Sequence, residues 1–413
     1  MTWAEIAISD LGRIVTGDTP PRKNPEYYGS AYPFIKPTDM TVGQRLTMTY
    51  EEGYSEDGFV KYRKKLIPAG STAVVTIGSI GQKLTWLHAD SFVNQAVNAV
   101  VPDRATFDSL YVYYLLKHNL NLVKQADTGA SSGRENVSKS NFSALTVWAC
   151  LDLNTQKQIA EVLDALDSSI ETNQGRIALL EDAARRIYRE WFVHLRFPGH
   201  ESVPVNDGVP EGWLPGSAHD YISILSGGTP KTGVEHYWGG DIPFFTPKDS
   251  PDAFYVFDTE KALTESGLAS CNSRLFAKDT TFITARGTVG KVALAQKPMA
   301  MNQSCYALVP KQDYDNLFLF AAIKDAVEHF KQVAVGGVFD AIVVDTFKVI
   351  PFVLPSAVVT HAFGKAVRPL FQQVETLLLQ NKQLARARDL LLPKLMSGQL
   401  DVSGIRLPEE LTA

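Results

Sequence analysis

Two segments of the chain carry an apolar stripe with the spacing of a long helix. The first stripe runs from Ile159 to Trp191 and the second from Val367 to Leu395, both in alternating steps of four and three residues. Such heptad spacing places the apolar side chains along one side of a helix, as in coiled coils. Because Asn154 stands where an N-cap is favoured, we predict that the first helix begins there.

Each stripe contains one asparagine near its middle, Asn173 in the first and Asn381 in the second. A single Asn at a core position fixes the register and the number of partner helices at some cost in stability. If the two helices pair antiparallel, we expect the two Asn side chains to meet, with Cα atoms within about 12 Å. The alternative is that each Asn lies on a solvated edge. Pro393 lies inside the second stripe, where we expect a kink or the end of the helix.

The segments before the two helices resemble each other. After a shift of 210 positions, residues 3–39 show 12 identities in 37 positions, where chance gives about two or three. A repeat of this length indicates a duplicated domain and not a solenoid. The shared residues are mostly glycines, prolines and aromatic residues, which fix turns and cores. They are Trp3, Asp10, Ile14, Gly17, Thr19, Pro20, Tyr27, Gly29, Pro33, Phe34, Pro37 and Asp39, matched by Trp213, Asp220, Ile224, Gly227, Thr229, Pro230, Tyr237, Gly239, Pro243, Phe244, Pro247 and Asp249.

The composition is that of an ordinary soluble globular protein, with 45% hydrophobic and 21% charged residues among 413. This length predicts about two to four domains. Because the chain has no long apolar run and no signal-peptide pattern, we expect it to be cytoplasmic. The three separated cysteines are expected to be buried small residues and not disulfide or zinc ligands. The net charge of -5 does not favour nucleic-acid binding.

Three short segments partly match catalytic or nucleotide-binding motifs, and none is complete. "DIPF" (241–244) differs by one residue from the amine-binding loop of DNA amino-methyltransferases, but no glycine-rich cofactor loop accompanies it. "PDAFYVFDTEK" (251–261) has Thr259 where a nuclease metal site requires an acidic residue. "RGTVG" (286–290) lacks the Gly-Lys of a P-loop. We therefore predict no catalytic residue and no metal ligand in this chain.

The duplicated "G-x-TP…Y-x-G…PF-x-x-P-x-D" segments and the two heptad helices resemble the specificity (S) subunit of type I restriction–modification systems. The sequences that end the helices, "YREWFVHLRFPGH" (188–200) and "LLLPKLMSGQL" (390–400), extend the resemblance over essentially the whole chain. The resemblance implies an α+β fold with a pseudo-twofold internal duplication. In it, two homologous α/β target-recognition domains are separated by two long antiparallel helices that form a coiled coil.

The domain boundaries follow from the resemblance and the repeat. The two target-recognition domains are predicted at 1–152 and 218–356, and the two helices at 153–196 and 357–400. A linker rich in proline and glycine is predicted at 197–217, and a tail at 401–413.

The same resemblance implies a non-catalytic subunit that reads DNA. Each target-recognition domain is expected to read one half of a bipartite double-stranded DNA site, and the helices to dock two modification (adenine methyltransferase) subunits. Restriction subunits complete the full complex. The partner subunits bind S-adenosylmethionine, ATP and Mg, and no cofactor is expected in this chain.

The net charge of -5 is compatible with DNA reading if the modification subunits surround the duplex and supply many of the phosphate contacts. We therefore expect weak DNA binding by the isolated chain. One alternative is a non-enzymatic, two-headed scaffold that binds proteins or glycans, and another is an independent DNA methyltransferase.

The loops expected to contact DNA contain polar residues that differ between the two copies and are flanked by glycines and prolines that the copies share. In the first copy these are Thr19, Arg22, Lys23, Lys36, Thr38, Gln82, Lys83, Ser131, Ser132 and Arg134, the last three within "TGASSGREN" (128–136). In the second copy they are Thr229, Lys231, Thr246, Lys248, Arg286, Thr288 and Lys291, together with "GGVFD" (336–340).

Several of these positions have an alternative interpretation. Thr19 and Thr229 are also suited to capping turns. The pairs at 94–95 and 302–303 recur as Asn-Gln in both copies, which favours a structural role over readout. "KYRKK" (61–65) is either a phosphate-binding stripe or a solvated face. Four residues at the helix ends are candidates for docking the partner subunits, with core packing as the alternative: Tyr188, Trp191, Phe192 and Leu391.

Overall fold

The computed structural model describes residues 2–127, 135–333 and 341–402. The chain divides into two compact units, the first formed by Met1–Glu171 and Asn381–Ala413 and the second by Thr172–Gln380. Both divisions fall inside a long helix, so each long helix contributes residues to both units.

Within its described residues, the first unit contains three sheets and four short helices. Its strands are Trp3–Ala7 (β1), Gly12–Thr16 (β2), Tyr28–Gly29 (β3), Tyr32–Ile35 (β4), Glu52–Tyr54 (β5), Thr72–Val75 (β6), Leu84–Trp86 (β7), Phe92–Val93 (β8), Val97–Pro102 (β9) and Thr146–Cys150 (β10). Its short helices are Glu56–Tyr62 (α1), Ser109–His118 (α2), Leu120–Gln125 (α3) and Lys139–Ala144 (α4).

Two of these sheets have four strands. One is antiparallel with the order β2-β9-β6-β7, and its central strands β6 and β9 are rich in valine and alanine because both of their faces are covered. The other has the order β3-β5-β4-β8, in which β4 and β8 are parallel. Strands β1 and β10 form a separate antiparallel pair.

The second unit has a corresponding set of elements. Its strands are Val205–Asn206 (β11), Val209–Pro210 (β12), Leu214–Ser217 (β13), Ile222–Ser226 (β14), Trp238–Phe245 (β15), Tyr255–Val256 (β16), Lys261–Leu263 (β17), Thr281–Thr284 (β18), Val292–Ala295 (β19), Ala300–Met301 (β20), Cys305–Pro310 (β21) and Pro351–Leu354 (β22). The first long helix of the chain, Leu153–Tyr188, is α5. The helices that follow it in the second unit are Ala218–Tyr221 (α6), Glu265–Ala269 (α7), Asn316–Val333 (α8) and Thr346–Val349 (α9).

The strand order repeats between the two units. The order β2-β9-β6-β7 recurs as β14-β21-β18-β19, and β5-β4-β8 recurs as β17-β15-β20, with the last pair parallel in both. The pair β1-β10 recurs as β13-β22. The second unit adds β16, which pairs in parallel with β19. The two domains therefore share one mixed α/β fold, as the sequence repeat predicts.

The two long helices are Leu153–Tyr188 (α5), which continues as a π-helical turn over Arg189–Val193, and Ala357–Met396 (α10). The predicted cap at Asn154 is wrong. The carboxylate of Asp152 accepts from the backbone N–H of Thr155 at 2.8 Å, and Asn154 lies inside the helix.

The second long helix does not end at Pro393. It continues to Met396, and the N–H of Ser397 donates to the carbonyl of Pro393 at 3.0 Å. Leu395 and Met396 are buried against the first unit, so packing holds the last turn in helical form.

Each unit has its own core, and both long helices contribute to each core. In the first unit, α2 packs with Ile159 and Leu163 of α5 and with Leu395 of α10. In the second unit, α8 packs with Ala184 of α5 and Phe371 of α10. The three cysteines are free thiols, and within the described ranges no helix combines the length and apolarity needed to span a membrane.

The two asparagines of the heptad stripes belong to different units. Asn381 donates from its amide to the carbonyl of Ile170 at 3.4 Å, a contact between the two long helices inside the first unit. Asn173 is buried within α5. The predicted pairing of Asn173 with Asn381 stays a prediction.

Candidate nucleic-acid interface

A threonine–glutamine hydrogen bond closes the same pair of loops in each unit. The Thr19 hydroxyl donates to the side-chain carbonyl of Gln95 at 2.5 Å, and the Thr229 hydroxyl donates to that of Gln303 at 2.5 Å. The partners are about 75 residues apart along the chain, which the sequence alone cannot reveal as a contact. The recurring Asn-Gln pairs thus have a structural contact in both units.

The glycine two residues before each of these threonines permits the close approach of the two loops. A Cβ atom at Gly17 would overlap the carbonyl oxygen of Val93, and one at Gly227 would overlap that of Met301. Only glycine fits such a backbone contact. This explains why this glycine is retained in both copies.

A second shared contact fixes the loop that follows β4 or β15. The Asp39 carboxylate accepts from the N–H of Lys36 at 2.8 Å, and the Asp249 carboxylate accepts from the N–H of Thr246 at 2.8 Å. Each carboxylate also accepts from the residue that precedes the neighbouring strand, β5 or β17. The Thr246 hydroxyl bonds to the same Asp249 oxygen at 2.6 Å, so this predicted DNA-contacting group is already engaged.

A third contact occupies the same position in both units but uses different residues. The ammonium group of Lys83 donates to the carbonyl of Pro37 at 2.8 Å, and the Thr288 hydroxyl donates to the carbonyl of Pro247 at 3.2 Å. These three contacts and further backbone hydrogen bonds between the loops bring four loops of each unit side by side. We name them the first loop cluster (17–24, 36–39, 77–83 and 94–96) and the second loop cluster (227–233, 246–249, 286–291 and 302–304).

Two predicted cations of the first loop cluster are neutralised by two glutamates, the first residue of β5 and the residue before it. Arg22 makes a two-pronged ion pair with Glu52 and lies over the ring of Tyr28 at 4.8 Å. Lys36 contacts Glu51 at 2.8 Å and Glu52 at 3.2 Å. The hydrogen bond from Arg22 lowers the pKa of Glu52, and the bond to Glu51 raises the pKa of Lys36. Lys23, Thr38 and Gln82 remain exposed.

The second loop cluster is more cationic. Lys231, Lys248 and Arg286 are exposed, and within the described part of the chain none of their charged groups has a hydrogen bond or an ion pair. The backbone of Arg286 is held by its N–H, which donates to the carbonyl of Ser304 at 3.2 Å. Lys291 pairs with Asp252 at 2.7 Å. The two clusters therefore share a frame and differ in the side chains they expose.

Several predicted contacts fall outside the described residues. These are Ser131, Ser132 and Arg134 of the first unit and the "GGVFD" segment (336–340) of the second. The flanking residues lie at the loop clusters. The N–H of Gly78 donates to the carbonyl of Glu135 at 3.1 Å, and the N–H of Ile342 donates to that of Ala285 at 2.9 Å.

The aromatic residues that end α5 pack within the second unit. The ring centroid of Phe192 is 4.7 Å from that of Phe318, and that of Trp191 is 5.8 Å from that of Phe363. Tyr188 lies among the same rings, and burial raises its pKa. Leu391 packs at the edge of the first unit's core. These contacts are those of core residues, and a role in docking partner subunits stays a prediction.

No metal centre is formed by the described residues: within 2–127, 135–333 and 341–402, no three His, Cys, Asp or Glu side chains come together as ligands. In the incomplete nuclease-like motif, Thr259 makes structural hydrogen bonds. Its hydroxyl accepts from the N–H of Phe244 at 3.1 Å and donates to the carbonyl of Lys261 at 2.7 Å. Thr259 thus links β15 to β17.

Comparison with known proteins places this architecture in a family. The family model described as "Type I restriction modification DNA specificity domain" matches residues 1–182 and again 210–381. A crystal structure of the S subunit of a type I restriction–modification system from M. genitalium has the same fold, with a TM-score of 0.58 at 17% identity over 96% of both chains.

The curated relatives differ in how much of the chain they match. The putative type I restriction enzyme MjaX specificity subunit of Methanocaldococcus jannaschii is 21% identical over 97% of this chain and 94% of its own length. The HindI specificity subunit of Haemophilus influenzae is 22% identical over 60% of this chain and 68% of its own. The MjaIX specificity subunit of M. jannaschii is 32% identical, but over only 36% of this chain and 35% of its own length. The two matches of the family model together span most of the residues, and the chain therefore belongs to the family of type I restriction modification DNA specificity domains.

Proposed function

We propose that this protein is the DNA specificity subunit of a type I restriction–modification complex and has no catalytic activity of its own. Each loop cluster then reads one half of a bipartite double-stranded DNA target. The observation that carries this proposal is the repeated frame: the same threonine–glutamine and aspartate contacts hold both clusters, while their exposed side chains differ. A duplicated scaffold with different exposed side chains suits two different half-sites.

The exposed polar residues of each cluster are the proposed readers. Arg286 has the side chain that pairs with guanine in the major groove, and Gln82 has one that pairs with adenine. Lys231 and Lys248 are suited to phosphate contacts. Arg22 and Lys36 are ion-paired with glutamates, so we assign them the role of holding the loop.

The partners in this proposal supply the chemistry. Two modification subunits dock on the long helices, bind S-adenosylmethionine and methylate adenine, and restriction subunits act with ATP and Mg. The predicted domain boundaries are part of this proposal. So is the cytoplasmic location, because the complex acts on cellular DNA. The net charge of -5 of this chain supports a division of labour in which the modification subunits make many of the phosphate contacts.

The test is to co-express the chain with its modification subunits and to map methylated adenines. We expect one bipartite methylated sequence. Arg286→Ala should alter one half of it and Gln82→Ala the other half. Lys297→Ala should alter neither, because this exposed lysine follows the end of β19 that is away from the second loop cluster. Methylation independent of this chain, or variants that each change both halves, would contradict the proposal.

A further inference from the structure

A run of basic residues next to the first loop cluster has no equivalent in the second unit. Residues 61–65, which we call the basic segment, include Lys61 at the end of α1 and the short 3-10 helix Arg63–Lys65. Lys61, Arg63 and Lys64 are exposed. Among the residues that the structure describes, none of these three cations has a hydrogen-bonded side chain or an ion pair.

Two contacts hold the basic segment against the first loop cluster. The ammonium group of Lys65 donates to the carbonyl of Thr16, the residue before the first loop, at 3.1 Å. The ring centroid of Tyr62 lies 5.9 Å from that of Tyr27, three residues after the end of the loop 17–24. The three free cations therefore lie beside the loops proposed to read bases.

The second unit has the same local frame without the charges. In each unit the short helix is capped by a hydroxyl that accepts from a glycine N–H, Ser55 from Gly58 and Thr264 from Gly267. Counting from these caps, the basic segment corresponds to residues 270–274, whose sequence is "SCNSR". Arg274 is the only cation left there.

Residues 270–274 pack against their own unit, whereas the corresponding basic segment exposes charged side chains. Ser273 is buried and its hydroxyl donates to the carbonyl of Met301 at 2.9 Å. Cys271 lies 3.7 Å from the carbonyl oxygen of Gly228. The corresponding segments therefore differ between the two units. Because the second unit keeps the same local fold without these cations, the fold of the first unit does not require them.

Helix stabilisation alone does not explain the run of cations. A positive charge near a helix C-terminus interacts favourably with the helix dipole, but this effect falls off within the last turn. Lys64 lies beyond the end of α1 at Tyr62. Its exposed position suits an external anion.

We propose that the basic segment binds phosphates of the DNA backbone flanking the half-site read by the first loop cluster, and that the second unit lacks such a site. This inference rests on the proposed function. It adds phosphate contacts to the binding of the first half-site and so increases the dependence of that binding on salt. Since phosphate contacts position a protein without reading sequence, the basic segment should not affect which bases are recognised.

The experiment measures DNA binding by the assembled complex with its modification subunits, using a labelled duplex that contains the methylated target. Each cation that neutralises a phosphate contributes about 0.9 to the slope of log K against log salt. We expect the triple variant K61Q/R63Q/K64Q to lower that slope by about two to three, with the same methylated sequence.

A matched control removes the same charge elsewhere. Three exposed cations lie at or just beyond the strand ends that are away from the loop clusters: Arg13 near the start of β2, Lys297 after β19 and Lys311 after β21. Their replacement by Gln should leave the slope unchanged. A gain-of-charge variant, S270K/N272R, should raise the slope by about one to two.

The outcomes separate this inference from the function on which it rests. An unchanged slope in K61Q/R63Q/K64Q, or a slope equal to that of the control, overturns the phosphate site while leaving the specificity function intact. A changed methylated sequence also overturns it, because it assigns base readout to the segment. Absence of target-specific binding by the wild-type complex overturns both. Circular dichroism and co-purification of the modification subunits verify folding and assembly.

Discussion

Arg388 of α10 donates a hydrogen bond of 2.6 Å to Asp167 of α5, and both side chains are almost completely buried, with 8% and 4% of their surface exposed. The Asp167 carboxylate also accepts from the Tyr114 hydroxyl at 3.0 Å and lies 3.7 Å from the ammonium group of Lys117. One carboxylate therefore joins both long helices to the sheet-covering helix α2 inside the first unit.

We expect Asp167→Asn to destabilise the first unit strongly. The change removes the buried counter-charge of Lys117 and leaves Arg388 with the more exposed Asp389, at 2.8 Å. Removing one partner of a buried ion pair costs about 3–5 kcal/mol. Denaturant unfolding followed by circular dichroism measures the change. Asp182→Asn is the matched control, because Asp182 and Arg186 form an exposed pair at 2.6 Å on the same helix worth at most about 1 kcal/mol. Equal effects of the two variants would show that Asp167 has no special role.

The sequence predicts the elements that depend on local pattern. Heptad spacing predicts both long helices, and the glycines, prolines and aromatic residues shared by the two copies predict two domains of one fold. The helix start was predicted two residues away from the actual cap because Asn and Asp are both good N-caps. The preceding Asp152 is the residue that makes the hydrogen bond.

The sequence does not predict contacts that depend on how strands and helices are paired. Glu52 neutralises Arg22 and Lys36 because the register of β5 against β4 places Glu52 opposite Phe34. That register cannot be read from composition. The charged Arg388 at a heptad core position was visible in the sequence, but its partner Asp167 was not, since the partner is fixed by the packing of α5 against α10.

Two partly buried lysines occupy corresponding positions in the two units. Lys117 lies over the ring of Tyr113 at 5.6 Å, and Lys324 lies over the ring of Phe320 at 5.6 Å, in each case four residues earlier on the same helix. Burial lowers the pKa of both lysines. Lys324 also faces Glu181, whose own pKa is raised by burial.

The lowered pKa of Lys324 predicts a specific dependence of stability on pH. Between the lowered pKa and the ordinary value of 10.5, the unfolded chain binds more protons than the folded chain, so the free energy of unfolding rises with pH. We expect Lys324→Met to be more stable than the wild type near pH 7, with the difference shrinking as the pH approaches 10.5. The groups facing Lys324 are Glu181 and Glu328, which favour its charge, and Arg185 and Lys291, which oppose it.

Urea unfolding at several pH values between 7 and 10.5 measures this difference. Lys297→Met serves as the control, because it removes a lysine that is exposed on the surface of the same unit. A difference between wild type and Lys324→Met that does not change with pH would exclude the buried charge as its cause.

In the second loop cluster, substitution of a proposed base-reading residue and substitution of a residue that holds the loops together should give different phenotypes. Arg286→Ala should relax recognition at one base position of one half-site, at a cost of about 1–3 kcal/mol for the preferred base. Thr229→Val should weaken methylation of all sequences alike, because it breaks the contact with Gln303 that holds the frame. Methylation of a duplex library with randomised target positions, by the assembled complex, distinguishes the two. Uniform loss of activity in Arg286→Ala would assign that residue to the frame or to phosphate binding.

The net charge of -5 predicts that the isolated chain binds DNA poorly. Three cations of the loop clusters, Arg22, Lys36 and Lys291, are engaged by carboxylates and are therefore less available to phosphates. We expect a dissociation constant of about 1 μM or weaker for the isolated chain at physiological salt. Once the modification subunits are added, we expect about 10 nM or tighter on a target duplex. Fluorescence anisotropy with target and scrambled duplexes measures both values. Nanomolar binding by the isolated chain that persists at high salt would mean that its own loops supply the phosphate contacts, and the division of labour between this subunit and its partners would then be wrong.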